Sequence, residues 1–110
     1  MERLLFEVDL PKHRFAKSEL DKAEPKAKDK VKKENFFTIS LRDIDETVWS
    51  MAKSLADAGK DLECTKMVLK ELHSGGDNID EVLNNFTAVN SARIIVTELV
   101  SPLDVELKKK

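Results

Sequence analysis

Cysteine occurs once in this chain of 110 residues, at Cys64, which excludes an internal disulfide framework and a multi-cysteine zinc site. A lone thiol fits a reducing compartment. Histidine occurs twice, at His13 and His73, too far apart for any His-x-x-x-His or His-with-Cys spacing that holds a metal or activates a nucleophile. Glycine is confined to Gly59, Gly75 and Gly76, which rules out a dinucleotide fingerprint. No run approaches the ~20 apolar residues of a membrane span. The opening MERLLFEVDLP is too short an apolar stretch for a signal peptide, and Glu7 and Asp9 break it. The expected location is the cytosol.

What the chain has in excess is charge. Charged residues make up 36% of it, against about 25% in an ordinary globular domain, alongside 41% hydrophobic residues. The formal net charge is only -2, but its distribution is uneven. Lys12 to Glu34 holds nine basic and five acidic residues (+4), while Asn35 to Leu107 holds six basic and thirteen acidic ones (-7). A basic arm is therefore attached to an acidic body.

Leu4, Phe6, Val8 and Leu10 alternate with Arg3, Leu5, Glu7 and Asp9, the period of a strand with one face on a core, and Pro11 ends the run. A second alternation places Phe37, Ile39 and Leu41 on one face and Phe36, Thr38 and Ser40 on the other. Between these strands, residues 11–34 offer few apolar positions, and Pro25 interrupts any long helix. That segment is expected to be a mobile charged insertion, with room for one short helix near Phe15–Ala23.

After Leu41 the period changes to about 3.6. Ile44, Val48, Met51, Ala52 and Leu55 form a helical stripe, with Asp43 and Glu46 as the expected N-cap and reciprocal partner and Gly59 as the stop. Asp61 is the expected cap of a second helix, whose face is Cys64, Thr65, Val68, Leu69 and Leu72 until Gly75 and Gly76 end it. Asn78 with Glu81 opens a third, with Ile79, Val82, Leu83 and Phe86 on its stripe; Thr87 divides it from a fourth, Ala88 to Val100. The fourth, expected to be the most buried, carries Ala92, Ile95, Val96 and Leu99, with Ile94 and Val100 widening the stripe. Ser101 and Pro102 end it. The expected fold is one α+β domain over residues 1–110: strands at 1–10 and 35–41 forming a two-stranded antiparallel ribbon, a helical body of about four helices at 42–101, and a tail at 102–110.

No constellation for catalysis or cofactor binding emerges. Cys64 lies on an apolar face between Glu63 and Thr65, where a free cysteine packs as a small hydrophobe. His73 sits at a helix C-terminus, where a cation suits the dipole. The SGGDNIDE stretch, residues 74–81, lacks both the ligand spacing of an EF-hand and the lysine of a P-loop, and a helix-to-helix turn accounts for it. Lysines of the basic arm alternate with acids, and Phe15 is its only aromatic, so a solvated linker describes it better than a nucleic-acid site. Phe36, Trp49 and Phe86 fall at the margins of apolar faces; each either completes the core or anchors a protein partner. The expectation is a binding protein and not an enzyme, without cofactor or metal.

From Phe36 onward the chain resembles the tail assembly chaperones of long-tailed bacteriophages. The resemblance lies in layout: a strand with an LRD-type exit into a helix (FFTISLRDIDETVWSMAKSL), a helix ending in a glycine-containing turn (MVLKELHSGGDNIDEVL), and a last helix with a proline and a charged end (IIVTELVSPLDVELKKK). It implies a protein of the bacterial host cytoplasm that oligomerises and coats the phage tape measure protein until tail tube polymerisation displaces it, and that is absent from the finished virion. It also implies a longer frameshifted product, for which the A-rich codons of Lys108, Lys109 and Lys110 would supply a slippery run; a solvated lysine tail is the plainer reading of those residues. The lysine-rich insertion departs from compact members of the family. The alternative is a small regulatory or host-directed protein that uses residues 12–34 on nucleic acid or on a bacterial complex.

Overall fold

A computed structural model describes residues 5–100 and has an α+β fold. The order is β1 (Leu5–Pro11), α1 (Ala16–Lys22), a 3-10 turn (Pro25–Ala27), α2 (Lys28–Asn35), β2 (Phe36–Arg42), α3 (Glu46–Asp57), α4 (Asp61–Leu72), β3 (His73–Gly76), α5 (Ile79–Leu83) and α6 (Phe86–Val100). Leu4, the stop at Ser101–Pro102 and the tail at 102–110 lie outside the described residues.

Both alternating segments are strands, and they pair antiparallel with Val8 opposite Ile39 and Leu10 opposite Phe37. Partners across an antiparallel ladder share a face, so Val8, Leu10, Phe37, Ile39 and Leu41 all project to the core side. All five are buried. The expected two-stranded ribbon, however, is a three-stranded sheet in the order β1-β2-β3. The third strand is the HSGG stretch expected as a turn: α4 stops at Leu72, and His73 to Gly76 pairs with β2 through an irregularity at Ser40–Leu41. Close approach makes this possible. Gly76 has φ +90°, and a Cβ there would collide with Thr38 O and lie 2.8 Å from Ile39 Cα.

The body is helical as expected, but the described residues hold six helices and not about four, because the insertion contributes α1 and α2. Helix α2 buries no residue and α1 buries only Ala16. They are tied down by polar contacts. Asn35 Oδ1 meets His13 Nε2 at 2.6 Å, its amide donates to Val31 O, Lys12 N donates to Asn35 O at 2.8 Å, and Lys32 pairs with Asp9 on β1.

Helix α3 is capped by Asp45, whose Oδ1 accepts from Val48 N at 2.9 Å, and not by Asp43, which accepts instead from Ile44 N. Arg42, 2.9 Å from Asp45 Oδ2, holds the cap in place. Gly59 stops the helix with φ +76°. Lys60 N donates to Leu55 O and Gly59 N to Ala56 O, the paired bonds of a Schellman ending. Helix α4 has the predicted face, with Cys64, Thr65, Val68, Leu69 and Leu72 buried, although Asp61 is its first residue and Lys60 occupies the cap without a side-chain bond. Asn78 caps α5 by accepting from Asp80 N and Glu81 N.

The division before α6 falls at Asn85, whose Oδ1 accepts from Ala88 N at 3.0 Å, and not at Thr87. Phe86 therefore opens α6 instead of closing the helix before it. Burial is densest in α4, five of twelve residues, against five of fifteen in α6. Ile94, expected to widen the buried stripe of α6, faces outward at 70% exposure. Helices α4 and α6 pack together beneath the sheet with α3 against α4, and one hydrophobic core joins all three to the strands.

Candidate protein-binding surfaces

The three aromatic residues singled out in the sequence occupy different places. Phe36 is half-buried on the outer face of the sheet, opposite Pro11. Trp49 is 38% exposed, yet its indole N–H donates to Val100 O at 2.8 Å and satisfies one of the carbonyls left over at the end of α6. Its first task is structural. Phe86 is 66% exposed on the first turn of the same helix. Fourteen residues of helix separate Phe86 from Val100, about 21 Å at 1.5 Å per residue, so Phe86 and Trp49 belong to opposite ends of the body. They do not form one patch.

Other large apolar residues are exposed that the sequence pattern did not single out. Ile94 projects from the solvent side of α6, Phe15 is 62% exposed beside the Arg14 guanidinium, and Leu5 is 64% exposed at the start of β1. Periodicity placed Ile94 inside because it flanks the stripe of Ala92, Ile95, Val96 and Leu99. Only the packing geometry reveals which flank is covered.

Two of the grooves that border α6 hold groups of chemical interest. The smaller, about 250 Å³, lies between α4 and α6 over Cys64 and Thr65, with Arg93 and Asp61 paired at 3.4 Å across its rim. Burial, and then the nearby Asp61 charge, push the Cys64 thiol above its ordinary pKa, which keeps it protonated and unreactive. The Sγ–H donates to Ala52 O, a packing role. The larger groove, about 560 Å³, runs beside β1, where Phe6, Val8, Ile95 and Leu99 supply apolar walls and Glu7, Asp9 and Glu98 supply charge. Among the described residues, no three His, Cys, Asp or Glu side chains cluster as metal ligands, and no helix is long and apolar enough to cross a membrane.

Asp9 is the one carboxylate at this groove with strongly organised partners. Its partial burial raises its pKa. Hydrogen bonds from Lys32 and from Thr38 Oγ1 at 2.7 Å, together with the Lys32 charge, outweigh that effect and hold the carboxyl below its ordinary value. The pairing acts reciprocally on Lys32, whose ammonium is raised by its hydrogen bond to Asp9 and by the surrounding carboxylates.

Compared with known proteins, the chain matches no protein-family model, no curated sequence and no solved structure.

Proposed function

We propose that this chain is a non-enzymatic tail assembly chaperone of a long-tailed bacteriophage, which self-associates and holds the tape measure protein during tail morphogenesis. Two lines of support meet here: the layout resemblance of residues 36–110, and an outer face that leaves large apolar side chains uncovered. The observation carrying most weight is the solvent side of α6. Phe86 and Ile94 stand eight residues apart on that helix, at 66% and 70% exposure, with Asn90 between them. Apolar side chains spaced along one helical face in this way serve as anchors when a second protein covers them.

Co-expression with a tape measure protein taken from the same genome tests the reading. The expected result is a soluble complex together with a self-associated form of the chain alone. A strictly monomeric mass by light scattering at high concentration, with no complex recovered, would overturn it.

A second reading draws on the basic arm. Arg14 lies 6.0 Å from the centroid of the exposed Phe15 ring, a pairing that also suits stacking on nucleic acid. Charge reversal at Arg14 and Lys17 separates the two readings: it abolishes polynucleotide binding under this one and leaves the chaperone complex intact under the first.

A further inference from the structure

The ladder between β1 and β2 determines where the backbone of β1 points. Lys12 N donates to Asn35 O, so Lys12 and Asn35 form a hydrogen-bonded pair, and by alternation so do Leu10–Phe37, Val8–Ile39 and Phe6–Leu41. The residues between them, Glu7 and Asp9, direct their N–H and C=O groups away from β2. On the other side of the sheet the same alternation turns Thr38 toward the β3 side, where its O accepts from Asp77 N and its N–H donates to Asp77 Oδ2. Pro11, which has no N–H to give, falls in step with Glu7 and Asp9 on the outward side, as proline in an edge strand should.

Among the described residues β2 is the only strand paired with β1, so the amides and carbonyls of Glu7 and Asp9 form an edge that no described strand covers. That edge borders the 560 Å³ groove. Helix α6 runs back alongside it. Asn85, just before α6, donates to Lys12 O just beyond β1, and Ile95 and Leu99 of its second half line the groove beside Phe6 and Val8.

We propose that this edge is the docking site for an extended peptide segment of a partner protein in which apolar residues alternate with Lys or Arg. A strand added to β1 bonds to the Glu7 and Asp9 backbone, and its side chains then divide between two environments. One set enters the apolar channel between Phe6 and Val8 on one wall and Ile95 and Leu99 on the other. The other set meets Glu7 and Asp9 on the outer face. The groove's charged residues are all acidic: Glu7, Asp9 and Glu98. Asp9 is already paired with Lys32, whose charge also reaches Glu7, so most of the selecting charge comes from Glu7 and Glu98.

This charge selects the occupant. A second copy pairing through its own β1 sets acid against acid. The chain's own Leu103-Asp104-Val105-Glu106-Leu107 has the alternation but brings Asp104 and Glu106 to the same carboxylates. A segment with Lys or Arg at those positions gains where these two lose. The inference rests on the reading of this chain as a protein-binding module and does not depend on the client being a tape measure protein.

The test uses the full chain, labelled with 15N, and two synthetic peptides, one alternating Val with Lys and one alternating Val with Glu. The Val/Lys peptide is expected to shift the amide signals of Glu7, Asp9, Ile95 and Leu99, to slow hydrogen exchange at Glu7 and Asp9, and to lose affinity as salt rises. The Val/Glu peptide should leave them unchanged. Glu7→Pro removes an outward N–H without breaking the β1–β2 ladder and should weaken binding at least about tenfold. Glu7→Lys, which keeps the backbone and needs no proline to fold, should weaken the Val/Lys peptide by about tenfold, the scale of one lost charged contact.

Failure of the Val/Lys peptide to bind, or binding to both variants as tight as to the parent chain, overturns the proposal. So does a dimer that dissociates on Glu7→Pro, which assigns the edge to a second copy. So do Glu7 and Asp9 amides that are protected in the monomer and become unprotected on truncation after Val100, which assign it to the chain's own end. Each of these results leaves the co-expression experiment to decide the chaperone reading separately, since a client held by Phe86 and Ile94 needs no strand edge.

Discussion

The ammonium of Lys32 lies 2.8 Å from the carboxylate of Asp9, joining the charged insertion to the outer face of the first strand. Both partners respond to the contact. The carboxyl is held below its ordinary pKa and the ammonium above its own, so each contributes to stability only while charged.

The pH window follows from those directions. A depressed Asp9 stabilises the fold above the unfolded carboxylate value, about 3.9, and that contribution disappears as pH falls through the folded value. A raised Lys32 contributes below the unfolded ammonium value, about 10.4, and its contribution is lost as pH rises through the folded value. The pair is thus fully effective between about pH 4 and pH 10. In Lys32→Met the Asp9 carboxyl is expected to titrate higher than in the parent chain, because burial is then opposed by Thr38 alone. Carbon-detected NMR of the Asp9 carboxyl reads the midpoint; identical midpoints in the two proteins would falsify the contact.

The three glycines should differ sharply in what they tolerate. Gly76→Ala meets both a positive φ and the backbone of Thr38 and Ile39, and is expected to cost well over about 1 kcal/mol and to detach β3. Gly59→Ala meets the positive φ alone, with open space around it, and should cost about 1 kcal/mol. Gly75→Ala has neither problem and should be close to neutral. Urea denaturation of the three variants gives the order directly. A Gly76→Ala protein as stable as Gly75→Ala would mean that β3 does not pair with β2 as described.

The contrast among these glycines also explains why the third strand was not legible in the sequence. HSGG has no apolar alternation; it is a strand because glycine lets two backbones approach, a tertiary fact with no local signature. The same reasoning applies to α2, whose KDKVKKEN buries nothing and is anchored by Asn35, His13 and Lys32. Where burial and periodicity agree, as on the α4 face from Cys64 to Leu72 or in the Val8–Ile39 register, the sequence pattern was sufficient. Between Asp43 and Asp45 as helix caps it was not, because the choice depends on which carboxylate Arg42 reaches. The free edge of β1 was equally hidden, since strand order is not written in either strand.

Trp49 offers a test of the end of α6. Trp49→Phe keeps most of the ring but leaves Val100 O without its indole donor, and should cost about 1 kcal/mol, the usual net worth of one such bond. The loss is expected to be local. Amides in the last turn of α6 should exchange faster, while those of Ala88 to Ala92 stay at the global rate. Uniform acceleration along the helix would mean instead that Trp49 acts mainly as core packing.

The surface of α6 distinguishes interaction from stability most cleanly. Phe86→Ala and Ile94→Lys alter side chains that are two-thirds exposed or more, so each should change the unfolding free energy by no more than about 0.5 kcal/mol. Leu69→Ala, at a fully buried position on α4, should cost about 2–5 kcal/mol. If the outer face of α6 is where copies of the chain or its client meet, the two surface variants lower the self-associated mass or release the client while melting like the parent. Leu69→Ala does the reverse at temperatures where it is still folded, keeping its contacts and losing stability. A pair of surface variants that leave both mass and client binding untouched would remove Phe86 and Ile94 from the interface.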